Sequence, residues 1–145
     1  MIDVRRARVR LTPRRRGMHL VTGELLERID LEGLGVGMLH CFVRHTSAAL
    51  TLNENVSPDV RSDMAAWLDR AMPDGAPYFA HTLEGADDMP AHVKASLVGA
   101  AVLVPVADGR PLLGTWQGIY LCEFRDDAGP REIVLTAWGE GEALG

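Results

Sequence analysis

Residues 36–43 read VGMLHCFV, an almost continuously apolar run, and a second run at Ala48–Leu52 follows the polar break Arg44–Ser47. A strand with one wet face alternates apolar and polar residues, so unbroken runs of this length predict two strands buried on both sides. The C-terminal part adds AVLVPV at 101–106, the turn ADGR, a short stretch at Leu112–Leu113, and extended segments at Gly118–Phe124 and Glu132–Ala137. At the other end, Ala7, Val9 and Leu11 alternate with Arg6, Arg8 and Arg10, which predicts a half-buried strand with a solvated face. Pro13–Gly17 makes a turn, and Met18–Val21 is extended again.

Helices interrupt these strands at three places. Thr22 is placed to cap a short helix from Glu24 to Ile29, ended by Gly33 and Gly35. Ser57 followed by Pro58 is a helix start, because serine caps and proline is tolerated at the first helical position; the helix runs to Ala71 with Val60, Met64, Trp67, Leu68 and Ala71 as its apolar face. The third begins near Pro90, with Asp88 as cap and Gly99 as stop. Strand runs joined by tight turns around three helices predict a single α+β domain over residues 1–145 with a largely antiparallel sheet.

The balance of charge narrows the partners. Residues 1–16 hold seven arginines and one aspartate, which leaves eight basic against 19 acidic residues in the rest of the chain. An acidic body argues against binding a nucleic-acid backbone. No apolar run reaches the ~18 to 20 residues of a membrane span, and MIDVRRARVR puts charges where a signal peptide is apolar, so a cytoplasmic protein is expected. Cys41 and Cys122 each lie in an apolar segment and form no zinc or disulfide framework, so both are expected reduced and buried.

Three polar islands carry the candidate chemistry. The segment HTLEGADDMPAHVK places His81, Glu84, Asp87, Asp88, His92 and Lys94 within residues 81–94. Imidazoles suit zinc, while carboxylates suit magnesium or orient the histidines; the competing reading is an Asp88 helix cap beside a solvated acidic loop. In VRHTSAALTLNEN, His45 interrupts two buried segments and Asn53 and Glu54 close the second. His45 is either a hydrogen-bonded core histidine or a third ligand beside His81 and His92, completing a set that leaves one position open for water or substrate. In GTWQGIYLCEFRDDAGPR, Trp116 offers an aromatic face, Gln117 a two-sided hydrogen-bonding amide, and Glu123 a carboxylate among apolar neighbours. Glu123 is a candidate general base, or else the partner of Arg125 or Arg131. No phosphate loop, dinucleotide fingerprint or nucleophile elbow is present.

Read together, HTSAALTLNEN at 45–55, HTLEGADDMPAHVKASLVG at 81–99 and PVADGRPLLGTWQGIYLCEFRDDAGPR at 105–131 resemble the YjbQ family, as does RGMHLVT at 16–22. The stretch APYFA at 76–80 is more apolar than that pattern suggests. The resemblance implies a compact α+β fold, a homotrimer, and a polar site able to hold a divalent metal, zinc above all. It also implies a secondary thiamine-phosphate synthase activity, the coupling of a pyrimidine diphosphate to a thiazole phosphate with release of pyrophosphate. Carried over, the family's polar positions fall on His45, Asn53, Glu54, Asp59, Asp63, His81, Glu84, Asp88, His92, Trp116, Gln117, Glu123 and Arg131.

From these residues the expected site has His45, His81 and His92 as metal ligands and Glu123, His45 and Asp88 as catalytic groups. Trp116, Gln117, Asn53, Glu54, Lys94 and Arg131 are expected to hold a phosphorylated small-molecule substrate. Zinc is the expected divalent ion, with magnesium the alternative when the substrate is a diphosphate. Metal-assisted phosphoester hydrolysis and non-catalytic binding of a metal or small molecule are the rival readings.

Overall fold

The computed structural model describes residues 1–141; the last four residues of the expected domain lie outside the described residues. The elements run β1 (Asp3–Leu11), β2 (Gly17–Leu20), α1 (Thr22–Leu26), β3 (Val36–Val43), β4 (Ala48–Glu54), α2 (Pro58–Ala71), α3 (Asp88–Val98), β5 (Ala101–Ala107), β6 (Arg110–Pro111), β7 (Gln117–Glu123) and β8 (Arg131–Glu140). The strands pair antiparallel in two sheets, one of five in the order β1-β8-β3-β5-β6 and one of three in the order β2-β7-β4. The fold is therefore α+β and antiparallel, as the alternation of strand runs and helices predicts.

The apolar runs explain the layering for β4, which packs on both faces, but the expectation that β3 is buried on both sides is corrected: its outer face ends the stack and leaves Val36 and Phe42 exposed. Leu39 and Cys41 of β3 and Ile133 and Leu135 of β8 meet Leu50 of β4 and Ile119 and Leu121 of β7, forming a core between the two sheets. On its other face the small sheet offers Ala49, Cys122 and Phe124 to Leu68 and Met72 of the α2 region and Ala91 of α3. The middle strand β7 is thus covered on both sides, which is why GIYLCEF carries no polar alternation. Burying each large aliphatic side chain there contributes about 1.5–3 kcal/mol.

Four local expectations are corrected. Thr22 is the first residue of α1 rather than its cap; its hydroxyl accepts the Ile119 N–H at 2.8 Å and so ties the helix to β7. The stripe that meets the sheet runs through Leu68 of α2 and Met72 just past its end, four residues apart, which turns Trp67 out to 68% exposure and leaves Ala71, also expected on the apolar face, exposed. The short strand is Arg110–Pro111, with the Leu112 N–H donating to the Pro105 carbonyl just beyond it. Asp88 lies inside α3 and makes no cap, while Gly99 ends the helix with φ of 107°, a conformation that favours glycine. Both cysteines are free and buried.

Candidate metal centre

The entry to α3 and the link between β3 and β4 meet at one end of the small sheet. There His81, Asp88 and His92 present donor atoms that all lie within 4.8 Å of one another. His81 Nε2–H donates to Asp88 Oδ2 at 2.7 Å, and His92 Nε2 lies 3.1 Å from the same oxygen. Asp88 and His92 are four apart on α3, so the helix itself stacks them on one face. Helix position also buries Asp88, while His81 arrives from the preceding loop and is half exposed.

The other carboxylate oxygen is held from behind. Arg125 Nη1 donates to Asp88 Oδ1 at 2.6 Å, its Nε to Asp87 Oδ2 at 3.0 Å and its Nη2 to the Glu84 carbonyl at 2.8 Å. Burial opposes ionisation of Asp88, but the His81 hydrogen bond and the His92 and Arg125 charges outweigh it, holding its carboxyl below the usual carboxylate range. Asp87 is likewise lowered against burial, by the Asp126 N–H and by Arg125. Arg16 fastens the same loop, donating to both Asp126 and Asp74.

His92 decides whether the cluster suits a cation. Its Nδ1–H donates to the Thr46 carbonyl at 2.9 Å, and its Nε2 faces the Asp88 carboxylate. Both neighbours only accept hydrogen bonds. A neutral His92 therefore turns an Nε2 lone pair toward a carboxylate oxygen, an arrangement relieved either by a second proton or by a cation between the two. A backbone carbonyl on the far ring nitrogen is the support that ligating histidines use. Two imidazoles and one carboxylate, with His81 open to solvent, fit zinc better than magnesium, which prefers oxygen ligands.

His45 does not join this set. Its Nε2 accepts the Glu132 N–H at 2.8 Å, so the neutral ring carries its proton on Nδ1 and has no free lone pair for a metal. The third donor clustered with His81 and His92 is instead the Asp88 carboxylate, which the expectation of three histidines missed; the i, i+4 spacing of Asp88 and His92 was the available signal.

Glu123 is not placed to act as a base. It alternates with Ile119 and Leu121 on the face toward the five-stranded sheet and is 0% exposed, with Arg131 donating to it at 2.7 and 2.6 Å. Arg131 also donates to the Ser47 hydroxyl at 2.9 Å. This buried pair consumes both side chains, so Arg131 cannot take up substrate phosphate. Lys94 is fully buried too, with Nζ donating to Asp69 at 2.6 Å and poised over the Phe124 ring.

The remaining candidates lie at the opposite end of the small sheet. Register pairs Ala48 with Glu123 at the end near the His81–Asp88–His92 cluster and Glu54 with Gln117 at the other, a separation of roughly 20 Å at the usual strand rise. Gln117 Oε1 accepts the Gly114 N–H, Asn53 Oδ1 accepts the Glu54 N–H, and Glu54 Oε2 accepts the N–H groups of Val56 and Ser57. These residues shape turns within the chain, and Trp116 beside them is 62% exposed.

Fold and cluster together define a two-sheet α+β domain with a surface His–Asp–His centre at a helix start. A family profile described as UPF0047 protein YjbQ-like matches residues 7–140, and the chain belongs to that family. The UPF0047 protein YjbQ of Salmonella typhimurium is 48% identical over 133 residues, covering 91% of this chain and 96% of that one. YugU of Bacillus subtilis is 41% identical, with 83% and 86% covered. Among solved structures, a YjbQ/UPF0047 family protein from Clostridium acetobutylicum matches with a TM-score of 0.75 at 32% identity, covering 88% of this chain and 96% of that one. SSO2532 of Sulfolobus solfataricus matches at 0.85, with 97% and 100% covered; at 24% identity that likeness concerns the fold.

Proposed function

We propose that the chain is a divalent-metal-dependent enzyme acting on a small phosphorylated molecule, with zinc held by His81, Asp88 and His92. Thiamine-phosphate-synthase-like coupling of a pyrimidine diphosphate to a thiazole phosphate is its secondary activity. The observation that carries this reading is the His92 ring, bonded to acceptors at both nitrogens. When bound, the ion supplies charge stabilisation at a phosphoryl oxygen or at the leaving group. The chain's own part is to orient: Thr46 sets the His92 ring, Arg125 fixes the Asp88 carboxylate, and His81 borders solvent.

A specific feature favours metal-assisted phosphoester hydrolysis as the second reading. Lys94 and Arg131, the basic groups expected to hold the phosphorylated substrate, are engaged by Asp69 and Glu123, and Arg125 beside the cluster is engaged by Asp87 and Asp88. Arg44, about half exposed, is the nearest in sequence to the Thr46 carbonyl and itself pairs with Glu132. A site so poor in free cations suits a single phosphoryl group better than a diphosphate.

The proposed assembly is a cytoplasmic homotrimer. Among the described residues no helix is long and apolar enough to cross a membrane. The exposed Val36, Phe42 and Leu103 on β3 and β5 support burial of the outer face of the large sheet between copies.

Metal analysis and turnover test the reading together. About one zinc per chain is expected in the wild type and none in His92→Ala, with phosphate release or coupling lost at the same time. Full activity in His92→Ala rejects the enzyme reading. Metal retention and tight pyrimidine or thiazole binding without conversion point to a binding protein.

A further inference from the structure

A cavity of about 340 Å³ opens on the His92 side of the cluster, lined by His45, Thr46, His92, Ser96 and Gly99 among others. Two observations give it a chemical character. First, the Glu132 N–H occupies His45 Nε2 at 2.8 Å, which fixes the proton of the neutral ring on Nδ1, and that Nδ1–H has no partner among the described residues. Second, no carboxylate and no Lys or Arg lines the cavity, and the Ser96 side chain at its edge is exposed. The walls therefore neither repel an anion nor neutralise one. They offer neutral donors; Arg44 and Arg131, whose charges reach His45, are each paired with a carboxylate, so among the described residues the cavity meets an unpaired charge only through the cluster it borders at His92.

We propose that this cavity is an oxyanion subsite, in which His45 Nδ1–H donates to one oxygen of a substrate phosphoryl group whose charge is balanced at the His81–Asp88–His92 centre. His45 is thus a substrate-binding donor and not a metal ligand. A preset tautomer makes the donor permanent: the backbone of β8 holds the ring, so no reorganisation accompanies binding. The placement also accounts for two histidines in one cavity, with ring nitrogens committed in opposite senses. His92 gives its Nδ1–H to the Thr46 carbonyl and keeps Nε2 for the centre, whereas His45 receives at Nε2 and gives at Nδ1. The subsite rests on the proposed metal centre for the charge it balances, but the state of the His45 ring does not.

The test uses the full chain, inorganic phosphate as probe, and two readouts. Long-range ¹H–¹⁵N spectra of the imidazoles at neutral pH report the tautomer, with Nδ1 protonated and Nε2 of the pyridine type as the expected result. With one zinc per chain, phosphate is titrated by calorimetry into the wild type, His45→Gln and His45→Asn. Gln keeps an acceptor near Nε2 and loses the donor at Nδ1, so phosphate affinity falls about tenfold while zinc affinity is unchanged. Asn keeps a donor near Nδ1 and restores most of that affinity. A proton found on Nε2, or equal phosphate affinity in His45→Gln and wild type, overturns the subsite. Absence of zinc binding in the wild type refutes the proposed function instead; the tautomer and a zinc-free phosphate titration then still decide the role of His45.

Discussion

Arg125 Nη1 lies 2.6 Å from Asp88 Oδ1, on the side of the carboxylate opposite the two imidazoles. One oxygen of Asp88 is thereby pinned by a guanidinium and the other is left to His81 and His92. Supports of this kind commonly change metal affinity 10–100-fold when removed. Arg125→Ala is accordingly expected to weaken zinc binding by roughly that factor, read by competition with a chromophoric chelator. Unchanged affinity would show that Asp88 needs no such support.

Glu123 and Arg131 make a different kind of pair. Both are buried, and removing one partner leaves an uncompensated charge in the core, at a cost of about 3–5 kcal/mol. Glu123→Gln should lower the urea midpoint correspondingly, and the apolar double replacement Glu123→Leu with Arg131→Met should recover most of the loss. Wild-type stability with abolished turnover in the single variant would instead restore Glu123 as a catalytic base.

The two thiols should be inert in the folded protein. Burial pushes both Cys41 and Cys122 up to about 12, so little thiolate exists at neutral pH and neither sulfur meets solvent. A disulfide-exchange reagent at pH 8 is expected to label neither cysteine in the native state and both in denaturant.

His45 makes stability depend on pH. Burial first, and then the Arg131 and Arg44 charges, lower its pKa below the ordinary imidazole value, against the pull of Glu123 and Glu132. The unfolded chain thus takes up the proton at a higher pH than the folded one does. The contribution is complete above about pH 6.5 and is lost as pH falls toward the folded value. His45→Gln, which keeps an acceptor for the Glu132 N–H and does not titrate, should flatten this limb of the urea-stability profile; an unchanged slope would assign it to other groups.

Some of this molecule is written locally. The runs at 36–43 and 48–52 place β3 and β4, Pro58 in the first turn places the start of α2 although the Ser57 side chain makes no cap hydrogen bond, and Gly99 ends α3, because each depends on side-chain pattern or backbone preference within a few residues. The cluster is partly local as well: His81, Asp88 and His92 fall within 12 residues, and one helical turn aligns the last two.

The partners that assign roles are not local. His45 was eligible as a ligand until a backbone N–H from position 132 took its Nε2, and Glu123 was eligible as a base until Arg131 and Ser47 closed around it. Trp116 and Gln117 looked like neighbours of the histidines because no short-range pattern gives the register of β4 against β7, and it is that register which sends them to the far end of the sheet. Sequence alone determined the strands, the main helices and which residue types are available for chemistry, since these follow from periodicity and propensity. Only the tertiary structure decided which of those groups are free, because a hydrogen bond or ion pair between distant segments forms only once packing has brought them together and removed the water.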